Sequence, residues 1–445
     1  MRLAKLIVLL LALLWLVPQA NADVTVLLEE PYSYDGALAG TGHSAIYLTR
    51  VCAASPTLLR RCEPGESGVV LSRYHRLSEY DWIAIPLLPY LYAVDRPEDI
   101  PLFADAKIVA SLRDHYRRKY LQSIAPDEPS GTTPGGNWYE LVGSAYDRTS
   151  YGYQIETSSD QDEAFIAAYN SRANRVAYKF LTSNCADFVR EAVNFYYPKA
   201  VGRSWIADFG VATPKHAAKS LVKYSKRHPE LHFSSFIIPQ VPGTMKRSTP
   251  IHGGVDSVFK AKKYELPLLV LQPFVAGGFA VAYVAGGRFN PAKGATVYDA
   301  SGNLEPALTA QERRTYQKGL DELLRAEPGI APENARASWK QFASAAQLSD
   351  DTSAGPVLLA DFGDETVQVG IARGNVLNTP APVELLRDLL VARLQEELRG
   401  KSSAKISDAQ VRADWKLLQA VLPSRSQDLQ VPIEAAGRVR SSGTP

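Results

Sequence analysis

Cys185 follows Asn184 where an apolar-periodic stretch begins, and His43 opens an alternating stretch far upstream. A thiol at the start of a helix and an imidazole held on a strand are a nucleophile and a general base. Phe188, Val189, Ala192, Val193 and Tyr196 recur on one helical face, and Pro198 closes the helix. Asn184 is a favoured N-cap, with Asp187 three residues on as a weaker capping-box partner. Cys185 then takes the first helical position. There the unpaired backbone N–H groups and the positive end of the helix dipole favour a thiolate, and the same N–H groups could hold an oxyanion. The competing expectation is an inert cysteine packed as a small hydrophobe.

His43, Ala45 and Tyr47 share one strand face, and Ser44, Ile46 and Leu48 the other. Gly42 permits close backbone approach just before the histidine. A strand holds a base rigidly, although a lone strand histidine is more often a packing residue.

The chain has 445 residues, so two domains are expected. With 46% hydrophobic and 22% charged residues it has the composition of a folded globular protein, which excludes wholesale disorder. The net charge is +2, and no basic cluster interleaves with aromatics, so nucleic-acid binding has no support. Arg2 and Lys5, the apolar run Leu6 to Val17 and Ala20-Asn21-Ala22 read as a secretory signal over residues 1–22, with the mature chain starting near Asp23. Export places the three cysteines in an oxidising compartment. Cys52 and Cys62 lie close together around a Pro-containing loop and are expected to pair. Cys185 is left as the free thiol.

The elements that must position these residues are strands at Asp23 to Glu29, His43 to Leu48 and Gly68 to Tyr74, and helices over 104–123, from Asp162 to about Ala173, from Cys185, and from Lys215 to Lys226. Pro239, Pro242, Pro250, Gly253 and Gly254 mark a linker over 239–257. Leu266 to Gly287 carries no charge and is long enough to span a bilayer. Its prolines and glycines, and the lysines Lys260, Lys262 and Lys263 on its upstream flank, argue equally for a buried hairpin or core helix. Residues 290–445 read as a separate α+β domain. It has helices at Gln311 to Arg325, Val383 to Arg399 and Asp408 to Val421, and a hairpin of Val357 to Phe362 and Thr366 to Ala372 around Gly363-Asp364-Glu365.

Gly42-His43-Ser44-Ala45-Ile46-Tyr47-Leu48, followed by Asn184-Cys185-Ala186-Asp187-Phe188-Val189, resembles the circularly permuted branch of the NlpC/P60 papain-like superfamily, which includes the lecithin-retinol acyltransferase-like proteins. The resemblance covers about residues 24 to 235. It implies an α+β fold, a small antiparallel sheet packed on the Cys helix, with Cys185 as nucleophile and His43 as base. It also implies a third polar residue on the next strand to orient the histidine. That strand holds no His, Asn, Gln or Glu in its middle. His75 at its end is the first choice and Ser72 the second. The superfamily's activities are peptide or amide hydrolysis, often of cell-wall peptides, and acyl transfer to or from lipids.

No cofactor or metal is expected. His228 and His232 stand four apart without a third ligand nearby. Ser220-Leu221-Val222-Lys223 matches S-x-x-K but lacks its partner motifs. Tyr90, Tyr92, Trp138, Tyr139, Tyr146, Tyr151 and Tyr153 could line a groove or simply pack. Three functions remain open from the sequence. The first is an exported thiol amidase or peptidase acting on a cell-envelope substrate such as a cell-wall peptide. The second is a lipid acyltransferase using the same dyad, held at a membrane by Leu266 to Gly287. The third is a non-catalytic envelope scaffold.

Overall fold

The computed structural model describes residues 22–32, 41–254 and 289–298, apart from single positions, and short stretches between 304 and 414. The proposed signal segment before Ala22, the apolar run Leu266 to Gly287, the helix Val383 to Arg399 and the polar tail lie outside the described residues. Among the described residues no helix is long and apolar enough to cross a membrane.

The fold is α+β around one large sheet. Its first strands are β1 (Ala22–Glu29), β2 (His43–Leu48), β5 (Val69–Ser72) and β6 (Ile83–Pro86). Between β2 and β5 a separate hairpin, β3 (Val51–Ser55) and β4 (Leu58–Arg61), carries the Cys52–Cys62 disulfide. Further strands are β7 (Ser150–Thr157), β8 (Ser234–Ile238), β9 (Thr296–Tyr298) and β10 (Leu304–Glu305). The sheet runs β10-β9-β8-β7-β1-β2-β5-β6. It has eight strands, which corrects the expectation of a small sheet. It is antiparallel except for β8 against β9. The last two strands come from beyond the linker, so residues past 290 complete the sheet of the N-terminal part.

Helices cover both faces. α1 (Leu87–Tyr92) and α2 (Ala106–Tyr120) bring Tyr90, Ile108 and Leu112 against Leu27, Ala45 and Val70. On the opposite face lie α3 (Ser159–Ser171), α4 (Cys185–Tyr196) and α5 (Pro214–Ser225). Phe188, Val189, Ala192 and Val193 of α4 pack there with Val24, Val26, Leu28, Ile46 and Leu48. Burial on both sides explains why β1 reads as a near-continuous apolar run. Each of these large aliphatic side chains gains roughly 1.5–3 kcal/mol from leaving water.

The C-terminal part contributes α6 (Pro332–Ala345), followed by the sheet β11 (Gln347–Ser349), β12 (Val357–Phe362) and β13 (Glu365–Gly370). The predicted hairpin is β12 paired with β13. Arg247 grips Asp414 with both carboxylate oxygens at 2.6 and 2.9 Å, fastening the chain near its end to the linker.

Candidate functional site

The start of α4 is held from three sides. The Asn184 side chain accepts from the Asp187 N–H at 3.0 Å, and the Asp187 carboxylate accepts from the Asn184 N–H at 3.3 Å, a reciprocal capping box. Asn184 also donates to the Ala212 carbonyl at 3.0 Å. Arg203 pairs with the buried Asp187. From the sheet side comes Arg73, which pairs with Asp81 at 2.5 Å, donates to Ser183 Oγ and the Asn184 carbonyl at 3.2 and 3.3 Å, and lies over the Phe188 ring. The peptide that delivers Cys185 is therefore fixed before the helix begins.

Cys185 is a free, buried thiol. The backbone N–H groups of Ser44 and Ala186 favour the thiolate. Burial outweighs them and pushes the thiol above its ordinary value. The expected dipole-stabilised thiolate is thereby corrected: the resting group is a neutral thiol. The helix start supplies donors, but the low-dielectric surroundings disfavour the charge.

Ser44 is the neighbour of His43. Gly42 makes this strand entry possible: at φ 69° it lies so close to β1 that a Cβ would sit 2.1 Å from the Glu29 carbonyl oxygen. His43 projects from the opposite face of β2 to Ser44. Its ring stacks on Tyr74 at 4.7 Å and 16°, and its Nε2 lies 2.6 Å from Ser72 Oγ. Burial, and secondarily the charge of Arg148, pull its pKa down to about 3, so the imidazole is neutral at pH 7. His43 thus meets Ser72 and Tyr74 on one face of β2, while α4, which carries Cys185, packs on the other.

The side chain that meets the His43 imidazole is Ser72, not His75. The pairing of Ile46 with Leu71 continues to place Ser72 beside Ala45, on the face His43 uses. β5 ends at Ser72, two residues short of the expected Tyr74, so His75 falls beyond the sheet. It is exposed and packs against Tyr178, with ring centres 5.2 Å apart. Tyr178 is half-buried and lies near Cys185, so His75 marks the rim of the site. Ser72→Ala is expected to slow alkylation of Cys185 by about three- to tenfold, since such a hydrogen bond is worth about 1 kcal/mol net. An unchanged rate in stopped-flow alkylation would remove Ser72 from the site.

Sequence reasoning missed the charged groups beneath His43. Glu29 stands directly across from His43 in the β1–β2 register and from Ser150 in the β1–β7 register. It is 1% exposed, accepts from the Tyr90 hydroxyl at 2.6 Å and lies 3.3 Å from Arg148. Arg148 is itself buried and covered by the Tyr32 ring at 4.5 Å. Burial pushes the Glu29 carboxyl up, while Arg148 and Tyr90 pull it down. A signal was present: Glu29 continues the Thr25, Leu27 face of an otherwise apolar strand.

Of the aromatic residues considered for a groove, Tyr90, Tyr92, Trp138, Tyr146, Tyr151 and Tyr153 are buried, and Tyr139 alone is exposed. His228 and His232 take separate partners, Glu230 at 2.9 Å and Glu156 at 2.6 Å. Among the described residues the one His/Cys/Asp/Glu grouping close enough for a shared ion is Cys52, Cys62 and Glu66, whose two sulphurs are joined to each other. Comparison with family models, curated proteins and solved structures finds no match.

Proposed function

We propose that this protein is an exported thiol hydrolase of the permuted NlpC/P60 type, cleaving an amide in the cell envelope. The observation that carries the reading is a buried Cys185 at the capped start of α4, packed on β2, the strand that carries a His43 ring held by Ser72 and Tyr74. The Cys52–Cys62 disulfide fits an oxidising compartment.

Cys185 Sγ attacks the carbonyl carbon as its proton passes to His43. Backbone N–H groups at the sulphur stabilise the oxyanion. His43 returns the proton to the departing amine, leaving a thioester on Cys185. Water then attacks the thioester, giving up a proton through His43, and the acid leaves with the thiol restored.

The active form is a neutral thiol with a neutral imidazole. Protonated His43 is inactive, and its lowered pKa moves the acid limb of the rate profile below the ordinary histidine value near 6.5. The raised Cys185 pKa moves the alkaline limb above 9.0. The expected profile of kcat/KM on a cell-wall peptide is a broad plateau spanning neutral pH. An acid limb centred near 6.5 would contradict it.

A second reading is acyl transfer to or from lipid by the same residues. It is favoured by exposed apolar side chains near the α4 start, Val176 and Leu181 on the segment before it and Trp205 at the head of a short helix, Trp205–Asp208, after α4. Incubation with phospholipid vesicles and mass detection of a thioester on Cys185 tests it. A protein that hydrolyses peptide amides and stays unacylated by lipid would exclude it.

A further inference from the structure

Trp205 is 79% exposed, Leu181 59% and Val176 41%. Tryptophan is usually well covered, so one so open to water calls for an explanation. Leu181 stands in a tight turn that the chain closes on itself. The Lys179 N–H donates to the Ser183 carbonyl at 3.1 Å, and the Ser183 N–H to the Lys179 carbonyl at 2.8 Å. Arg73 pins the turn by donating to Ser183 Oγ at 3.2 Å. Trp205 rests on Gly210, where a Cβ would lie 2.7 Å from its ring. The two segments meet at the α4 cap. Arg203, two residues before Trp205, pairs with Asp187, and Asp187 closes the capping box on Asn184, three residues after Leu181. Both apolar segments are thus held rigidly at the same helix start.

Their charge is one-sided. Residues 172–184 carry Arg172, Arg175 and Lys179 and no acid, and residues 192–207 carry Lys199 and Arg203 and no acid. The chain as a whole is nearly balanced, with 49 basic and 47 acidic residues. Arg175, Lys179 and Arg203 are exposed, whereas the neighbouring Asp81, Asp187 and Asp208 are buried. Exposed indole and aliphatic groups among bases match the interface of a bilayer: the rings enter the headgroup layer and the bases meet lipid phosphates. The local excess of bases favours an anionic surface over a protein partner of mixed charge.

We propose that Val176, Leu181 and Trp205, flanked by Arg175, Lys179 and Arg203, form a peripheral docking surface for a bilayer rich in anionic phospholipid. Docking there would hold the start of α4 against the headgroups. It requires neither the chemistry of Cys185 nor a particular substrate, so it goes beyond the hydrolase reading.

The test is co-flotation of the full chain with vesicles of phosphatidylcholine alone and of equal parts phosphatidylcholine and phosphatidylglycerol. Tighter binding to the anionic vesicles is expected, weakening as salt screens the charges. Arg175→Gln with Lys179→Gln is expected to weaken that binding about 30-fold, roughly fivefold for each base near the surface. Leu181→Gln with Trp205→Gln is expected to weaken it by at least about tenfold, with an unchanged circular dichroism spectrum. Leu266 to Gly287 is present in every protein compared, so any contribution from it cancels. Equal binding to the two vesicle types, or unchanged binding in both double variants, would overturn the proposal. So would a wild-type dimer that Leu181→Gln with Trp205→Gln dissociates while vesicle binding persists, since the patch would then join two copies of the chain. Cys185→Ala is expected to bind vesicles like the wild type. Failure of the hydrolase reading would therefore appear as absent turnover with docking intact.

Discussion

Cys185→Ala is expected to abolish turnover of a peptide amide, and His43→Ala to lower it by at least about 10²–10⁴-fold, with the fold retained in both. Cys185 contributes only a small side chain to the α4 core, since Phe188, Val189, Ala192 and Val193 carry the packing. The helix cap does not use the sulphur: Asn184 and Asp187 satisfy one another. Circular dichroism and urea midpoints close to wild type are therefore expected beside the loss of activity. Cys185→Ser is the sharper control. It keeps the shape and a hydroxyl, but a hydroxyl is a far weaker nucleophile than a thiol, so turnover stays lost. Measurable turnover in Cys185→Ala would transfer the chemistry to other residues.

Arg73→Met is expected to destabilise the protein by about 3–5 kcal/mol, because it strips a buried carboxylate of its main partner. The Arg73 and Asp81 side chains are only 3% and 5% exposed. Methionine preserves much of the stem volume, so the loss measures charge and hydrogen bonding more than packing. The same change frees the Asn184 carbonyl and Ser183 Oγ from their Arg73 donor and so loosens the peptide ahead of Cys185. Two readouts follow: a lower urea midpoint and slower alkylation of Cys185. The double variant Arg73→Met with Asp81→Leu is expected to recover much of the stability, because the charges left behind, Glu191 and Arg172, are exposed, but not the alkylation rate. Recovery of both would reduce Arg73 to a stability element without a role at the site.

The site's legible half rests on local rules. The N-cap Asn184, the box closed by Asp187 and the apolar face of α4 follow from positions within a few residues of Cys185. The alternation of β2 follows from neighbours of His43, and the disulfide from two cysteines ten residues apart. The other half is tertiary. Ser72 outranks His75 because β5 stops where Arg73 turns to Asp81, which no local pattern announces. Glu29, Tyr90 and Arg148 are far apart in the chain and meet only when β1, α1 and the segment before β7 assemble. The tyrosine-rich strand β7 escapes the alternation test because both its faces are largely buried. The thiol's protonation state shows the same division: the helix start is local and favours the thiolate, burial is global, and burial wins. Strands β9 and β10 join the sheet from across a segment that reads as a linker, since strand pairing is decided by distant partners.

The central claim is that Cys185 and His43 act together across the end of β2. It is tested most directly by following covalent modification of the intact protein with a small electrophile by mass spectrometry, comparing wild type with His43→Ala at pH 7. The expected result is a single adduct on Cys185, absent in Cys185→Ala, formed at least about 10²-fold more slowly without the imidazole. Equal rates in the two proteins would show that the thiol is not served by His43 and would contradict the thiol-hydrolase mechanism.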